Sequence, residues 1–418
     1  MSFLQPIVSP LYIPPPVMVA SASVFGSDPL IPIAPDEIDQ VGGFTREGSP
    51  VFNLGKGVPG EEPPQELLQI QMTALGYSPP GGKPELREVI AGYVNDRYRP
   101  NKKITADNVL VTPGNQPGLA LAAEILKSAT VFVEAPYYSQ FRWPLRLGEH
   151  HLYTIESRDH DQPLLGASVI GNILATKGSP VLWTSNPRNP DGAVRYGEEL
   201  AATYASVAGA GGVFVSDEAY SAFTMGVPHG QPTSLLTVLN DLNKARALIL
   251  HTASKNFFAP GARIGWILGP SSFISRLIDL SESHTTPPSL YSQVGLLNFL
   301  NNAAAVQAHE LALKQIYNDK RQLFLDKLAT IDGVKIHGHP LGAFFVAVAL
   351  ATDIPSQDAY HFSRRLAYER GVSTIPLNYV SEFYERHIRL SFGAKWAEID
   401  VALEKLSQFI RDLKESVG

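Results

Sequence analysis

The sequence predicts an α/β protein with a smaller α+β unit at its C-terminal end. Short β-rich runs recur through the middle of the chain, namely NVLVTPG, ATVFVEAP, SPVLWTSNP, GVFVSDEAY, RALILHTAS and RIGWILG. The segments between these runs are long enough for crossover helices, as at residues 117–127 and 196–208. Such alternation is typical of a largely parallel sheet that is covered by helices on both faces.

The pattern changes at about residue 289, where a long helical stretch (289–328) begins. Short strands follow around VKIHG, AFFVAVAL and IRLSFG. We therefore divide the chain into an N-terminal arm with the start of the small domain (1–50), a large α/β domain (51–288) and a small C-terminal α+β domain (289–418).

The first 35 residues are apolar, but prolines interrupt them repeatedly and no basic segment precedes them. We therefore expect neither a signal peptide nor a membrane span, and we expect the protein in the cytoplasm. An apolar arm of this kind either packs against something, such as a second subunit, or forms a disordered tail.

Composition narrows the classes of function. The net charge of −6 is small for 418 residues, and the chain contains no run of lysine or arginine, so nothing points to a nucleic-acid or membrane partner. The complete lack of cysteine excludes disulfides, thiolate metal sites and cysteine nucleophiles, and it fits a reducing compartment. Chemistry on a small molecule is the expectation that remains.

Polar residues directly follow four of the apolar runs. In a doubly wound sheet, ligands bind beyond the carboxyl ends of the strands, so these positions are candidates for a site. Taken singly, each has an ordinary explanation as a turn former or a helix cap. Taken together, they predict one binding site. The residues are Gly114, Asn115, Gln116, Asn186, Asn189, Asp217, Tyr220 and Lys255.

Seven motifs occur in a fixed order: GYSPPGG, VTPGNQPGLAL, APYYSQF, SNPRNPDG, SDEAY, SKNFFAPGARIGW and IRLSFG. Together they resemble the class I/II aminotransferases, which are pyridoxal-phosphate enzymes of fold type I. The resemblance runs from about residue 53 to residue 410. It implies a large domain with a mostly parallel, seven-stranded sheet and a homodimer with shared active sites. It also implies pyridoxal 5'-phosphate as the cofactor.

The resemblance assigns roles to the residues around the cofactor ring. Lys255 would form the Schiff base and then move the α-proton of the substrate. Asp217 would lie against the pyridine nitrogen and keep the ring protonated, which makes it a better electron sink. Asn189 and Tyr220 would hydrogen-bond the ring hydroxyl oxygen, and Tyr138 would stack on the ring face. As ordinary alternatives, these three would be a turn former and packed aromatics.

The phosphate and the substrate carboxylate would be held by other motifs. Backbone amides at the start of the helix in GNQPG suit an anion, and the resemblance adds hydroxyl groups, a cation and a tyrosine that crosses from the partner subunit. Arg389 would bind the substrate carboxylate as a bidentate donor, with Gly57 beside the substrate. The phosphate ligands so implied are Gly114, Asn115, Gln116, Thr252, Ser254, Arg263 and, from the partner, Tyr77.

Substrate specificity is less clear from the sequence. Dicarboxylate-specific relatives carry a second arginine before the proline pair that appears here in SESHTTPPSLYSQ, and no arginine follows Arg276 in that stretch. An aspartate-like substrate is therefore disfavoured. Lys56 either faces solvent, the interpretation we favour, or reads an acidic substrate. Glu282 and His284 either belong to a solvated helix end, which we also favour, or meet a basic or polar substrate side chain.

Two other patterns suggest binding sites but do not fit them. GKGVPG satisfies the glycine spacing of a dinucleotide site, but it contains Pro59 and leads into EEPP, whose charge would repel a pyrophosphate. His150–His151 and the HGH of residues 337–339 lack a third ligand at a suitable spacing, so they are interpreted as surface and strand-end histidines and no metal is predicted.

The predicted function is amino-group transfer between an L-amino acid and a 2-oxo acid. One alternative is a different reaction of the quinonoid intermediate that the cofactor and an amino acid would form, namely elimination, cyclisation, decarboxylation or oxidation. A second is a regulatory protein that senses an amino acid without catalysis. The second is disfavoured because about fifty poorly helical residues precede the first motif, which leaves little room for a DNA-binding domain.

Overall fold

A computed structural model describes residues 17–20, 51–71, 76–284 and 287–416 of the chain. The rest of the N-terminal arm, about which we expected either packing or disorder, lies outside the described residues. No helix in the described ranges is both long and apolar enough to cross a membrane.

The larger sheet has eight strands in the order β1-β5-β4-β6-β7-β8-β9-β3. Strands β5, β4, β6, β7 and β8 run parallel, whereas β1 and β9 are antiparallel to their neighbours. The prediction of a mostly parallel sheet is confirmed, but the count of seven was wrong because β1 of the arm adds an eighth strand at the edge. The strands are β1 Val17–Ala20, β3 Val109–Thr112, β4 Thr130–Ala135, β5 His151–Glu156, β6 Val181–Ser185, β7 Val213–Asp217, β8 Ala247–Thr252 and β9 Gly265–Leu268.

Helices cover both faces of this sheet, as the uninterrupted apolar strands require. Side chains alternate across each strand, so Leu182 and Phe214 enter one core while Trp183 and Val215 enter the other. The helices of this unit are α1 Gln65–Leu68, α2 Pro84–Tyr98, α3 Asn115–Ile125, α4 Arg142–Leu147, α5 Ala167–Leu174, α6 Gly197–Gly209, α7 Leu235–Val238, α8 Ala253–Asn256 and α9 Ser271–His284.

The predicted helical stretch that begins near residue 289 is two helices, α10 Leu290–Asn301 and α11 Ala303–Ala329. The break falls at Asn302, whose side-chain Oδ1 accepts a hydrogen bond from the Ala305 amide and so caps α11. Because a continuous helical pattern hides a cap of this kind, the sequence does not show the break.

The predicted C-terminal α+β unit is built on an antiparallel sheet in the order β10-β11-β14-β13. Its core is formed mainly by one face of the central strands, with Val348 and Ile388 among its members, and by apolar side chains of the flanking helices, including Phe362, Leu403 and Phe409. The elements are β10 Val334–Ile336, β11 Phe345–Leu350, β13 Ile375–Pro376, β14 His387–Ser391, α12 Ala359–Arg370 and α13 Trp396–Glu415.

Two contacts bear on the predicted domain boundaries. A two-residue strand, β2 Phe52–Asn53, pairs in parallel with β12 Val372–Ser373 of the C-terminal unit. In addition, Leu296 and Phe299 of α10 are buried in the same core as residues of the large sheet. We therefore propose that the small domain includes β2 and that the large domain extends through α10, which refines the boundaries 50/51 and 288/289.

Candidate active site

The carboxyl ends of β6, β7 and β8 and the start of α3 surround one pocket. Because parallel strands end at the same edge of a sheet, polar residues that are far apart in sequence converge there. The pocket is lined by Asn115, Gln116, Tyr138, Asn189, Asp217, Ala219, Tyr220, Thr252, Ser254, Lys255, Pro260 and Arg263. The predicted strand-end site is therefore present as a single cavity.

Of the strand-end candidates, Gly114, which precedes α3, does not line this pocket, and neither does Asn186. Its Nδ2 donates to the backbone oxygens of Arg195 (2.8 Å) and Thr233 (2.7 Å), and its Oδ1 accepts from the Arg195 amide. Asn186 therefore holds the turn after β6 together, which is the ordinary structural role for an asparagine in that position.

Lys255 lies in α8, the single helical turn that follows β8. Thr252 caps this turn, because its Oγ1 accepts a hydrogen bond from the Ser254 amide at 3.2 Å. The Lys255 ammonium donates to the backbone oxygen of Gly57. Burial lowers the pKa of Lys255 to about 8, and the nearby Arg389 and Arg263 act in the same direction. At pH 7 about a tenth of the amine is therefore uncharged, far more than for an ordinary lysine.

Asp217 is the last residue of β7 and is buried. Its Oδ1 accepts hydrogen bonds from Asn115 Nδ2 at 2.8 Å and from the Ala219 amide at 3.1 Å. Burial raises the pKa of Asp217 to about 6, although the two hydrogen bonds and the charge of Lys255 oppose that shift. A cation placed against this carboxylate would lower its pKa again, so the site is suited to a positively charged partner.

Arg389 of β14 reaches the pocket from the small sheet. Its Nη1 donates to Asn189 Oδ1 at 2.8 Å, its Nη2 donates to the Gly55 oxygen, and its guanidinium carbon lies 4.3 Å from the centre of the Phe345 ring. These contacts fix the plane of the guanidinium, which is the group that binds a carboxylate through two hydrogen bonds.

Tyr220 is packed edge-on against two rings of the small unit, Phe344 and Phe345, each with its centroid 5.3 Å away. Burial raises the pKa of its hydroxyl well above the usual range, so the phenol stays protonated and can donate a hydrogen bond. Tyr138, at the mouth of the turn after β4, lines the same pocket and packs edge-on against Phe141.

The start of α3 offers a cradle for an anion. Gly114 precedes the helix with φ of +94°, and a Cβ at that position would lie 2.5 Å from Arg263 Nη2. Only glycine therefore lets the guanidinium approach the first free amides of the helix, those of Asn115 and Gln116. Arg263 itself has φ of +48°, a left-handed backbone that is unusual for this residue type and is often found at functional sites.

Two predicted residues approach the site differently. Gly57 lies beside the pocket, where a Cβ would come within 3.1 Å of Phe345 Cζ and 3.7 Å of the Tyr220 hydroxyl. Tyr77 is fully exposed and does not line this pocket within the chain. Its predicted contact is with the partner subunit's site, so that role stays a prediction.

Several contacts were not predicted from the sequence. Ala219 and Pro260 line the pocket inside motifs that were already singled out, so their positions were within reach. The Gly55 oxygen and the Phe345 ring, which position Arg389, carried no signal, because a backbone oxygen is invisible in a sequence and Phe345 belongs to an ordinary apolar strand.

The three side chains that were expected to face either solvent or a substrate are exposed in this chain. Lys56, Glu282 and His284 are exposed, as favoured by the sequence interpretation. The histidines divide differently. His151 is exposed as predicted, and His337 and His339 follow the end of β10 as predicted, with His337 buried there. His150 is buried, so its assignment to the surface was wrong.

The chain matches the family described as aminotransferase class I and II over residues 49–406. An aspartate/prephenate aminotransferase of Thermus thermophilus is 26% identical over 375 residues, which span 87% of this chain and 92% of the relative. The structure of an aspartate aminotransferase from Thermus thermophilus with maleate superposes with a TM-score of 0.78 at 26% identity, over 90% of this chain and 96% of that chain.

An Escherichia coli protein with a methionine aminotransferase function has the same fold, with a TM-score of 0.78 at 22% identity over 91% of this chain and all of the other. Enzymes of this family depend on pyridoxal phosphate and transfer amino groups between amino acids and oxo acids. With a fold type I architecture and a family match that spans most of its length, the chain belongs to the class I and II aminotransferases.

Proposed function

We propose that this aminotransferase binds pyridoxal 5'-phosphate in the pocket described above and transfers an amino group from an L-amino acid to a 2-oxo acid. The observation that carries the proposal is the meeting of the Lys255 amine, the Asp217 carboxylate and the α3 N-terminus in one cavity. When bound, the cofactor supplies a reactive aldehyde and an electron-withdrawing pyridinium ring, which stabilises negative charge at the substrate α-carbon.

The residues present fit that cofactor. Asn115 Oδ1 and Gln116 Oε1 are buried without a hydrogen-bond partner among the described residues, which indicates that a bound polar molecule or water completes the site. The glycine cradle at Gly114 with Arg263 suits a phosphate group, and Thr252 and Ser254 add hydroxyl donors. An amine, an acid and an anion site are thus each available.

Lys255 is suited to two tasks. Its lowered pKa provides an uncharged amine that would hold the cofactor aldehyde covalently and would later accept the substrate α-proton at Nζ. The Gly57 oxygen accepts a hydrogen bond from this Nζ and so aims the amine into the pocket. One side chain would therefore serve as anchor and as base.

Asp217 would hold the cofactor ring nitrogen in its protonated form. The carboxylate is buried, so its field is little screened by water, and Asn115 orients it through a hydrogen bond. Asn189 and Tyr220 would bind the ring hydroxyl oxygen, and Tyr138 would cover one face of the ring. Each of these groups lines the same cavity.

Arg389 would bind the substrate carboxylate. Its guanidinium is already held in one plane by Asn189, Gly55 and the Phe345 ring, so little side-chain entropy is lost when substrate binds. Such preorganisation fixes the substrate α-carbon relative to Lys255. Arg389 thereby determines which groups of the substrate point towards the base.

For the substrate, we propose an amino acid whose side chain is not a carboxylate. The related proteins named above act on aspartate or prephenate in one case and methionine in another, so their names do not converge. The stretch from Arg276 to Gln293 contains no second arginine that could bind a side-chain carboxylate, and Glu282 and His284 are exposed. Comparison of kcat/KM for aspartate with kcat/KM for apolar amino acids tests this point.

We also propose a cytoplasmic homodimer with shared active sites. Tyr77 is fully exposed, and Leu68 and Tyr291 are 59% and 50% exposed, which is consistent with a surface that a second copy covers. The lack of cysteine fits a reducing compartment. Sedimentation equilibrium and fractionation of cells that produce the chain test these two statements, and a monomer with full activity would contradict the first.

The test of the proposed function is spectroscopic. Purified wild-type protein should show the absorption band of a lysine-bound cofactor near the visible range and should lose that band with borohydride. The Lys255→Ala variant should show no such band. Lys56→Ala is the matched control, since Lys56 is an exposed lysine on the loop that contacts the pocket. An amino donor should convert the cofactor to its amine form, and a 2-oxo acid should restore it.

Release of ammonia, carbon dioxide or a cyclic product without the amine form would contradict transamination and favour another reaction of the same cofactor. Failure of Lys255→Ala to change the spectrum would contradict the site itself. A donor screen against the cofactor spectrum would at the same time identify the substrate.

A further inference from the structure

Three histidines meet at the junction of the two sheets, away from the pocket. His160 lies in the loop that follows β5, His337 directly follows β10, and His387 is the first residue of β14. One ring nitrogen from each lies within 4.8 Å of the other two. None of the three lines the proposed active site.

The nitrogens of this cluster are largely without protein partners. His160 Nδ1 and His337 Nδ1 are 3.2 Å apart, which accounts for one hydrogen bond. His337 Nε2 and both ring nitrogens of His387 are buried and have no hydrogen-bond partner among the described residues. The side chains of His337 and His387 are 1% and 3% exposed. Buried polar atoms are rarely left unpaired, so these nitrogens indicate a missing partner.

Ring packing alone does not explain the histidines. His160 stacks on His387, with centroids 5.2 Å apart and planes at 14°, and it also contacts Phe383. A phenylalanine would make the same contacts without burying nitrogen atoms. Burial lowers the pKa of His337 and of His387 to about 3, so both rings are neutral imidazoles, the form that binds a metal ion.

Backbone contacts hold the histidine-bearing segments together. The Gly338 amide donates to the His160 oxygen at 2.6 Å. Gly338 has φ of +66°, and a Cβ there would lie 2.5 Å from Pro163 Cγ, so only glycine allows this approach. The loop after β5 is thus fixed against the end of β10, and the rings of His160 and His337 are held close before any ligand arrives.

We propose that His160, His337 and His387 bind one divalent transition-metal ion of the zinc type, which links the loop after β5 to the small sheet. Imidazole nitrogen is a preferred ligand for such ions, at about 2.0–2.1 Å. Two nitrogens on one tetrahedral ion lie about 3.3 Å apart, so each ring moves inward by less than about 1 Å. The fourth position would take a water molecule.

The charges around the cluster permit a cation. Lys335 and Arg188 are the nearby positive groups, but Lys335 pairs with Asp161 at 3.7 Å and Arg188 pairs with Asp191. Asp159 adds a negative charge near His160 and His337. The proposal replaces the expectation of no metal, which considered only histidines that are close in sequence.

The first experiment measures zinc uptake. Holoenzyme is treated with a chelator, dialysed against Zn²⁺ and analysed for metal, cofactor and protein. We expect one Zn²⁺ per chain in the wild type and in His339→Ala, an exposed histidine of the same segment. We expect at least a tenfold weaker affinity in His160→Ala and in His387→Gln, since loss of even an outer-shell partner costs about 10–100-fold. Equal uptake by wild type and His160→Ala would overturn the proposal.

A second measurement needs no variant and so does not depend on a substituted chain folding. Diethyl pyrocarbonate modifies accessible histidines in the wild-type holoenzyme, and peptide mass spectrometry reports each site. His160 is partly exposed and His339 is exposed, so both react without metal. Zn²⁺ should protect His160 and leave His339 unchanged. Equal modification of His160 with and without Zn²⁺ would overturn the proposal. Co²⁺ bound in place of Zn²⁺ should give visible d–d bands in the protein whose His160 is protected by Zn²⁺.

Discussion

The pocket and the three-histidine cluster are assembled in different ways. The pocket collects most of its residues at or just beyond the ends of strands in one mostly parallel sheet, so the strand order itself brings Asp217 and Lys255 together. The cluster collects His160 from the large unit and His337 and His387 from the small sheet. His160 and His337 are 177 positions apart in the sequence. Proximity that is set by sheet topology can be predicted from sequence, whereas proximity set by the docking of two sheets cannot.

The two regions also differ in their electrostatics. In the pocket, burial moves the pKa of Lys255 down to about 8 and that of Asp217 up to about 6, so both groups change charge near neutral pH. In the cluster, burial keeps the imidazoles of His337 and His387 neutral throughout that range. The first arrangement suits proton transfer, and the second suits coordination of a metal ion.

The largest expected effect separates the two regions. Lys255→Ala removes the amine that would anchor the cofactor and move the proton, so the transamination rate should fall by more than about 10⁴-fold. Zinc uptake by the histidine cluster should be unchanged, because Lys255 lies in the pocket and not at the sheet junction. Single-turnover absorbance and metal analysis on the same sample measure both quantities, with Lys56→Ala as the control.

Asp217→Asn tests the second pocket residue. The amide keeps the size and the hydrogen-bonding capacity of the side chain but cannot stabilise a cationic ring, so kcat should fall by about 10²–10³-fold. Glu218→Gln is a matched control, because Glu218 is the adjacent buried acid and accepts its hydrogen bonds from the Ser216 hydroxyl and the Leu235 amide, which do not line the pocket. A larger loss in Glu218→Gln than in Asp217→Asn would contradict the assignment.

Much of the large unit could be predicted from the sequence because its strands are uninterrupted apolar runs. Strands β6, β7 and β8 are buried at every residue, and each ends at, or shortly before, a residue that lines the pocket. The two-residue strands β2, β12 and β13 were not predicted, since they are too short for any periodicity and exist only through pairing with distant segments. Likewise, the edge strand β1 could not be predicted, because the arm that contains it is rich in proline.

For the site, residue types could be predicted but several contacts could not. The motifs located the amine, the acid and the guanidinium, because each belongs to a distinctive local pattern. The contacts that position Arg389 come from Asn189 of the large unit and from Gly55 and Phe345, so they depend on how the two sheets meet. His337 illustrates the same limit, since its partners lie far away in sequence.

Arg389 is the residue at which the two regions come closest along the chain, since it shares β14 with His387. Arg389→Lys keeps the charge but loses the two parallel hydrogen bonds that a guanidinium makes to a carboxylate. Because a hydrogen bond to a charged group is lost, kcat/KM should fall by about 100-fold, mainly through a higher KM. Zinc uptake should not change if the pocket and the cluster are independent. Steady-state kinetics with metal analysis test both, and a parallel loss of zinc would show that the regions are coupled through β14.

The smallest effect concerns stability of the cofactor-free chain. The pKa of Lys255 is about 8 in the folded chain, against an ordinary value of 10.5, so below pH 8 the fold carries a buried ammonium that the unfolded chain hydrates freely. Lys255→Met removes this cost, about 3 kcal/mol at pH 7, and also the hydrogen bond to the Gly57 oxygen, worth about 1 kcal/mol. The free energy of unfolding at pH 7 should therefore rise by about 2 kcal/mol, or about 30-fold in the folding equilibrium.

The gain should shrink as the pH rises from about 8 to 10.5. In that window the folded wild type has lost its proton while the unfolded chain still binds one, so wild-type stability increases with pH and approaches that of the variant. Urea unfolding of both chains at about pH 7 and about pH 10 measures the difference at each pH, which cancels other titrating groups. Lys56→Met, at an exposed position, should stay within about 0.5 kcal/mol at both. A gain that is the same at both pH values would mean that the introduced methionine packs better, not that the buried charge is costly, and the basis for an uncharged amine at neutral pH would be lost.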